Sequence, residues 1–258
     1  MYRKIHKISQ LEYLDIENST VEGCLSPTHT AGVVNLFFFH GSLFANRELN
    51  GIKESAQKTR IILIKMDVTN LEEIEVAKQI VEETVGDRGL NLLINNAGAA
   101  KMVTFPNLTP ENLEFHYKIN TEGPVLVTQM MLPCLEKAAS LHSGGMSVSR
   151  AAILNMTSLA GSIKNAGFEF TQDLHVPAYK ISKAALNMAM RVIGALVKDK
   201  GILVVMMCPG WVKTDMGGRE MAQLEPEESI AAMLKTLSTL DESSHACYMD
   251  RLGNPYPF

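Results

Sequence analysis

The chain has 258 residues, 46% apolar and 20% charged, with a formal net charge of -4, which is enough to bury a sizeable core. Its basic residues do not cluster, so neither a nucleic acid nor a membrane surface is expected as a partner. Cys24, Cys134, Cys208 and Cys247 are scattered, without a Cys-x-x-Cys pair or a zinc spacing, so reduced thiols in a cytoplasmic protein and no metal site are expected.

The first twenty residues, MYRKIHKISQLEYLDIENST, lack the continuous apolar stretch of a signal peptide. GVVNLFFF (32–39) reads as a strand and is far short of the about 20 apolar residues that span a bilayer. From residue 58 strands and helices alternate. TRIILIKMDV (59–68) is an isoleucine-rich strand ending at Asp67-Val68. The stretch 70–86 has helical periodicity, with Asn70 at its N-cap. LNLLINNAG (90–98) is a buried strand that ends in small residues, and 109–140 opens with Thr-Pro-Glu and reads as one long helix. AAILNMTS (151–158) is a strand, and a helix then carries Tyr179 and runs to about residue 199. GILVVMMCPG (201–210) is a strand, 225–240 a helix, and HACYMD (245–250) a last strand. Such alternation, with strands apolar throughout, predicts a parallel sheet covered on both faces, a doubly wound α/β domain. Ligands in such sheets lie at the carboxyl ends of the strands, where Asp67, Asn95 to Gly98, Ser158 and Pro209 all fall.

Tyr179 and Lys183 are four residues apart and share a helix face. A nearby cation favours the phenolate, so the pair predicts a tyrosine with a lowered pKa that exchanges a proton with an alcohol or ketone oxygen. Tyrosine–lysine pairs are common on helix surfaces, and the surroundings set this one apart. Ser158 puts a hydroxyl at a strand end upstream. Ala97 and Gly98 allow a flat ligand close to the backbone. Asn120 is an unfavourable residue inside a predicted helix, so its amide has another use. Beyond Pro209-Gly210, Thr214 offers a hydroxyl and Val212 its backbone amide. His116, His142, His175 and His245 have no Ser/Asp partners at hydrolase spacing. Met188 and Met190 are expected to fill the core.

Asp67-Val68, Asn95-Asn96-Ala97-Gly98, Asn120, Ser158, Tyr179-x-x-x-Lys183 and Pro209-Gly210, in that order, resemble the short-chain dehydrogenase/reductase family, above all its sniffer-like and C-factor-like carbonyl reductases. The resemblance covers residues 52 to 258 and implies a Rossmann-like doubly wound sheet flanked by helices. It also implies roles. Tyr179 is the general acid/base. Lys183 lowers its pKa and binds the nicotinamide ribose. Ser158 polarises the substrate oxygen, and Asn120 supports a water in the proton relay. Asp67 and Val68 flank the adenine, while Asn96, Ala97 and Gly98 line the cofactor cleft. Pro209, Val212 and Thr214 fix the nicotinamide amide. The cofactor implied is NADP, with NAD as the alternative, and the substrate is a small carbonyl or alcohol.

The family's Thr-Gly-x-x-x-Gly-x-Gly turn is absent: before residue 51 the glycines are Gly23, Gly32 and Gly41. The chain therefore divides into an atypical segment 1–50 and a dehydrogenase domain 51–258, with the first strand and glycine turn atypical or missing. In a second reading residues 1–50 reach the phosphates by another route, and Arg47 in LFANRE (43–48) meets a 2′-phosphate. Two functions follow. One is an NADP-linked carbonyl reductase whose pocket is rimmed by 99–108, 162–178 and 216–226. The other is a non-catalytic or cofactor-impaired relative that acts by association, its long helices forming a homodimer interface.

Overall fold

The computed structural model describes residues 34–40 by their backbone, Glu54, and residues 59–166 and 176–258. Segment 1–33, the glycine-turn region, Arg47, Phe168 and Phe170 lie outside the described residues. Strand β1, Val34–His40, confirms the strand expected at 32–39, and it pairs in parallel with β2, Thr59–Lys65, starting from Val34 opposite Thr59. A second parallel sheet has the order β3 (Leu92–Asn95), β4 (Ala152–Met156), β5 (Leu203–Cys208), β6 (Cys247–Asp250). Among the described residues the two sheets share no ladder.

Helices cover both faces of the larger sheet. On one face Ile153, Val204 and Met206 meet α1 (Leu71–Val85), α3 (Gly123–Ser140) and α4 (Pro177–Val197) through Val81, Met131, Leu135, Leu186 and Met190. On the other face Leu154, Met156, Val205 and Met207 meet α5, Pro226–Leu237, through Ile230, Met233 and Leu237. Alternate residues of one strand thus feed opposite cores, and for that reason the strands read as unbroken apolar runs. Met190 fills the core as expected. Met188 does not: it lies on the outer face of α4 and is 63% exposed.

The helix ends follow the sequence signals. Asn70 caps α1 by accepting from the backbone N–H of Glu72 and Glu73. Thr109 caps α2, Pro110–Tyr117, with proline at its first turn. The single helix expected over 109–140 is in fact α2 and α3 joined by a π-turn, Lys118–Glu122. Two residues account for the break. Pro124 has no N–H to give to the Asn120 carbonyl, and the N–H of Gly123 reaches back five residues to Lys118 O. Gly123 also lets β2's exit approach: a Cβ there would stand 2.9 Å from Val68 Cβ and 3.0 Å from Val68 O.

Among the described residues no helix is long and apolar enough to cross a membrane. Gly123→Ala is expected to lower stability by about 1–3 kcal/mol, because the Val68 carbonyl cannot rotate out of the way as a side chain would. Urea denaturation against wild type checks this.

Candidate functional site

Four strand ends and one helix face build the site. At the end of β3, Asn95 turns inward. Its Nδ2 donates to Thr128 Oγ1 on α3 at 2.9 Å and to Asn155 Oδ1 on β4 at 2.8 Å. The next residue, Asn96, has a buried Oδ1 without a hydrogen-bond partner. Segment Ala97–Lys101 then passes the π-turn. There Asn120 is wholly buried: its Oδ1 accepts from Ala99 N at 2.8 Å, and its Nδ2 donates to Ala99 O at 2.9 Å and to Ser182 Oγ at 3.0 Å. The neighbouring Thr121 Oγ1 donates to Ser182 O at 2.8 Å. The π-turn is thereby tied to both β3's exit and α4. The amide that a regular helix had no use for serves as a partner to two other elements.

Helix α4 brings Tyr179, Ser182 and Lys183 onto one face, at i, i+3 and i+4. Lys183 is only 4% exposed, and its Nζ donates to Met156 O at 2.8 Å. Gly161 makes this burial feasible. A Cβ there would lie 2.9 Å from the Lys183 carbonyl carbon, so the short turn Leu159–Gly161 can press onto α4. The side chain of Ser158 stands beside Tyr179, close enough to favour its phenolate. Ser158 caps that same turn, accepting from Ala160 N at 3.2 Å.

Electrostatics correct one expectation. Proximity to Lys183 was expected to lower the Tyr179 pKa. Burial instead pushes it up to about 12, with the Ser158 side chain opposing and the buried Cys208 adding to the rise. Lys183 Nζ stands 5.9 Å from the ring centroid. Burial also brings Lys183 itself down to about 8, against a smaller opposing effect of Cys208. Both groups follow the same rule: a low-dielectric surrounding disfavours whichever form is charged.

The remaining expected residues hold structural positions around this cluster. Asp67 and Val68 sit at β2's exit, where Asp67 Oδ1 accepts from Thr69 N at 2.9 Å and Thr69 Oγ1 at 2.8 Å. Pro209 begins a turn fastened by Ser229 Oγ, which donates to Pro209 O at 2.7 Å. Within it Val212 bridges to Leu224, and Thr214 Oγ1 accepts from Gly217 N at 3.1 Å. Gly98 lines the gap beside Asn120 and Lys183: a Cβ there would lie 3.5 Å from Asn120 Oδ1 and 3.7 Å from Lys183 Nζ.

Sequence reasoning overlooked several supporting groups. Ser182 lies one turn beyond Tyr179, and its face was readable from spacing alone. Tyr248 on β6 was not: its hydroxyl donates to Ser158 O at 2.5 Å. Thr157 Oγ1 donates to Asn187 Oδ1 at 2.7 Å. The chain beyond β6 fastens the segment after Ser158. Ser162 Oγ donates to Pro257 O at 2.7 Å, and Lys164 N donates to Phe258 O at 3.1 Å.

A doubly wound parallel sheet with Ser158, Tyr179, Lys183 and Asn120 gathered at its carboxyl edge has the form of a nucleotide-dependent oxidoreductase, and comparison with known proteins agrees. The family model for short chain dehydrogenase matches residues 43–225. The chain belongs to the short-chain dehydrogenase family. Among solved structures, the carbonyl reductase Sniffer of D. melanogaster is similar at 30% identity, covering 93% of each chain with a TM-score of 0.81. An NADPH-bound carbonyl reductase from chicken fatty liver is 34% identical over 92% of each chain, also with a TM-score of 0.81. The C-signal protein of Myxococcus xanthus is 32% identical over 170 residues, 66% of this chain and 93% of that one.

Asn120→Ala should cost roughly 1–3 kcal/mol, since it leaves the buried N–H and C=O of Ala99 without the Asn120 amide, whereas Ser182 Oγ keeps its bond to Tyr179 O. Thermal melts of the variant and of Tyr248→Phe, whose loss should stay near 1 kcal/mol, check this ranking.

Proposed function

We propose that the chain is an NADPH-linked carbonyl reductase in which Tyr179 is the general acid/base. The observation that carries the reading is the placing of Tyr179 beside the Ser158 side chain and the buried ammonium of Lys183, whose Nζ is 5.9 Å from the Tyr179 ring centroid. The residues present suit the nicotinamide end of such a cofactor. Asn96 Oδ1 is a buried acceptor with no partner, and Gly98 leaves open the space beside Asn120 and Lys183. NADPH is favoured by the likeness to the NADPH-bound chicken enzyme, and NAD is the alternative.

When bound, the reduced nicotinamide supplies the hydride for the substrate carbonyl carbon. Ser158 holds the carbonyl oxygen by its hydroxyl. Tyr179 gives that oxygen its phenolic proton as negative charge develops there, and the product is an alcohol. Lys183, charged at neutral pH, stabilises the phenolate left behind. Asn120 fixes Ala99 and Ser182 so that strand end and helix keep their spacing. Asp67 and Val68 are assigned to the adenine end, and Asn96, Ala97 and Gly98 to the cleft. Pro209, Val212 and Thr214 are assigned to the carboxamide. On this reading residues 51–258 form the working domain. A tyrosine raised to about 12 keeps its proton throughout the neutral range, which favours reduction over alcohol oxidation.

A second reading, homodimer formation through helix faces, is supported by Leu113 and Tyr117 on α2 with Ile181, Met188, Val192 and Leu196 on α4, all exposed. A second copy of this chain is the partner it names. Light scattering of wild type and Val192→Glu tests it: a mass of one chain in both overturns it.

For the enzyme reading, NADPH fluorescence titration should show saturable binding. Tyr179→Phe should retain that binding and lose at least about 100-fold in turnover of a small aromatic or quinone carbonyl. Turnover that survives in Tyr179→Phe rejects the assignment. The pH dependence has a definite sign. Lys183 carries its proton below about 8 and loses it above. The kcat/KM for reduction should therefore be flat through neutrality and fall as pH rises through about 8. Lys183→Met should be slow throughout and lack that limb.

A further inference from the structure

One buried titratable group has no part in the proposed chemistry. His116, on α2, is fully buried. Its Nδ1 stands 2.7 Å from Asn112 O, a carbonyl that can only accept, so Nδ1 carries the hydrogen. The other ring nitrogen, Nε2, accepts from Lys101 N at 2.9 Å. Both contacts are satisfied at once by one species alone, the neutral ring protonated at Nδ1. A second proton would set Nε2–H against the N–H of Lys101, two donors face to face. The ring also stands edge-on to Tyr179, at 6.4 Å between centroids.

We propose that His116 is a positioning residue for the reduction: in its neutral form it holds the Ala99–Lys101 segment at the distal end, as Asn120 holds it at Ala99. This rests on the carbonyl reductase reading. The two clasps divide the labour. Asn120 binds both peptide groups of Ala99 and sets the spacing between β3's exit and α4. His116 binds the peptide of Lys101, beyond which the chain continues into Met102 and Phe105, 72% and 80% exposed. These lie in the segment 99–108 expected to rim the substrate pocket, so His116 bears on the substrate wall more than on the cofactor cleft.

The groups facing His116 favour the neutral ring. From the segment it holds, the Lys101 ammonium lies over the Phe115 ring at 3.5 Å and opposes a second positive charge. From α4 the facing group is Tyr179, protonated through the neutral range. On its own element Glu114 and Lys118 pair with each other at the surface, at 2.7 Å. Burial lowers the His116 pKa most, and Lys101 adds to this against the raising effect of the Asn112 carbonyl. The clasp is therefore closed at pH 7 and opens on acidification below the usual histidine range.

The test compares wild type, His116→Gln and His116→Phe by amide hydrogen exchange, expressed as protection, over residues 97–104. Glutamine offers an acceptor that does not titrate; phenylalanine keeps the ring shape without one. Wild type should protect the Lys101 amide at pH 7 and lose that protection at acid pH. His116→Gln should keep protection at both, and His116→Phe should show it at neither. In turnover, His116→Phe should raise the carbonyl KM about 10-fold with NADPH affinity unchanged, and His116→Gln should restore it without the acidic limb of wild type. Equal Lys101 protection in wild type and His116→Phe at pH 7 overturns the proposal. A wild-type chain that neither binds NADPH nor turns over any carbonyl sinks the reductase reading instead, and the exchange comparison still decides the role of His116. If His116→Phe fails to fold, the acid response of wild type against His116→Gln decides it.

Discussion

The site depends on one primary amide. Asn120 places its oxygen on the N–H of Ala99 and its nitrogen on the C=O of the same residue, as a strand partner would, and the second hydrogen of that nitrogen goes to Ser182. All of this occurs where water does not reach, so no solvent molecule substitutes for a missing partner. The amide joins β3's exit, the junction of α2 with α3, and the second turn of α4. A regular helix would direct this side chain elsewhere; the π-turn directs it here. A local irregularity in the backbone thus fixes the positions of three regular elements.

The same burial that secures this framework strains the groups it surrounds. An ammonium set against a neutral peptide carbonyl is an unfavourable thing to bury, and Lys183 shows it in a depressed pKa. Tyr179 shows it in the opposite direction, held as the neutral phenol. Groups displaced from their ordinary titration ranges by a shared environment are a recurring mark of working sites. The fold tolerates them because the surrounding shell is well satisfied: Thr157 with Asn187, Asn95 with Asn155 and Thr128, Tyr248 with the Ser158 carbonyl.

Much of this was legible in the sequence, for physical reasons. Unbroken apolar runs gave the larger sheet because its strands are covered on both faces, and the Asn70 and Thr109 caps announced their helices. Spacing placed Tyr179 and Lys183 together, and the misfit of Asn120 in a helix was already a signal. Other features were not readable. The π-turn depends also on how closely Gly123 settles against Val68, a contact between segments more than fifty residues apart. The direction of the Tyr179 shift depends on burial, and spacing shows only that a cation is near. Met188 and Met190 differ by two residues and face opposite ways, which a periodicity centred on Tyr179 already implied. His116 seemed inert because a side-chain partner was sought for it, whereas its partners are backbone groups.

The π-turn also bears on how this chain tolerates change in length. An α-helix advances about 100° and 1.5 Å per residue, so a π-turn is equivalent to one inserted residue. Removing a single residue between Lys118 and Glu122 would let α2 and α3 fuse into one smooth rod, locally the more regular structure. It would also rotate all of α2 by about a quarter turn relative to the sheet and swing His116 away from Lys101. Side-chain replacement at these positions removes one contact at a time; a deletion puts a whole helix out of phase. Length at 118–122 is therefore constrained independently of residue identity, whereas a surface connection such as Leu141–Gly145 can absorb a residue without turning any helix face.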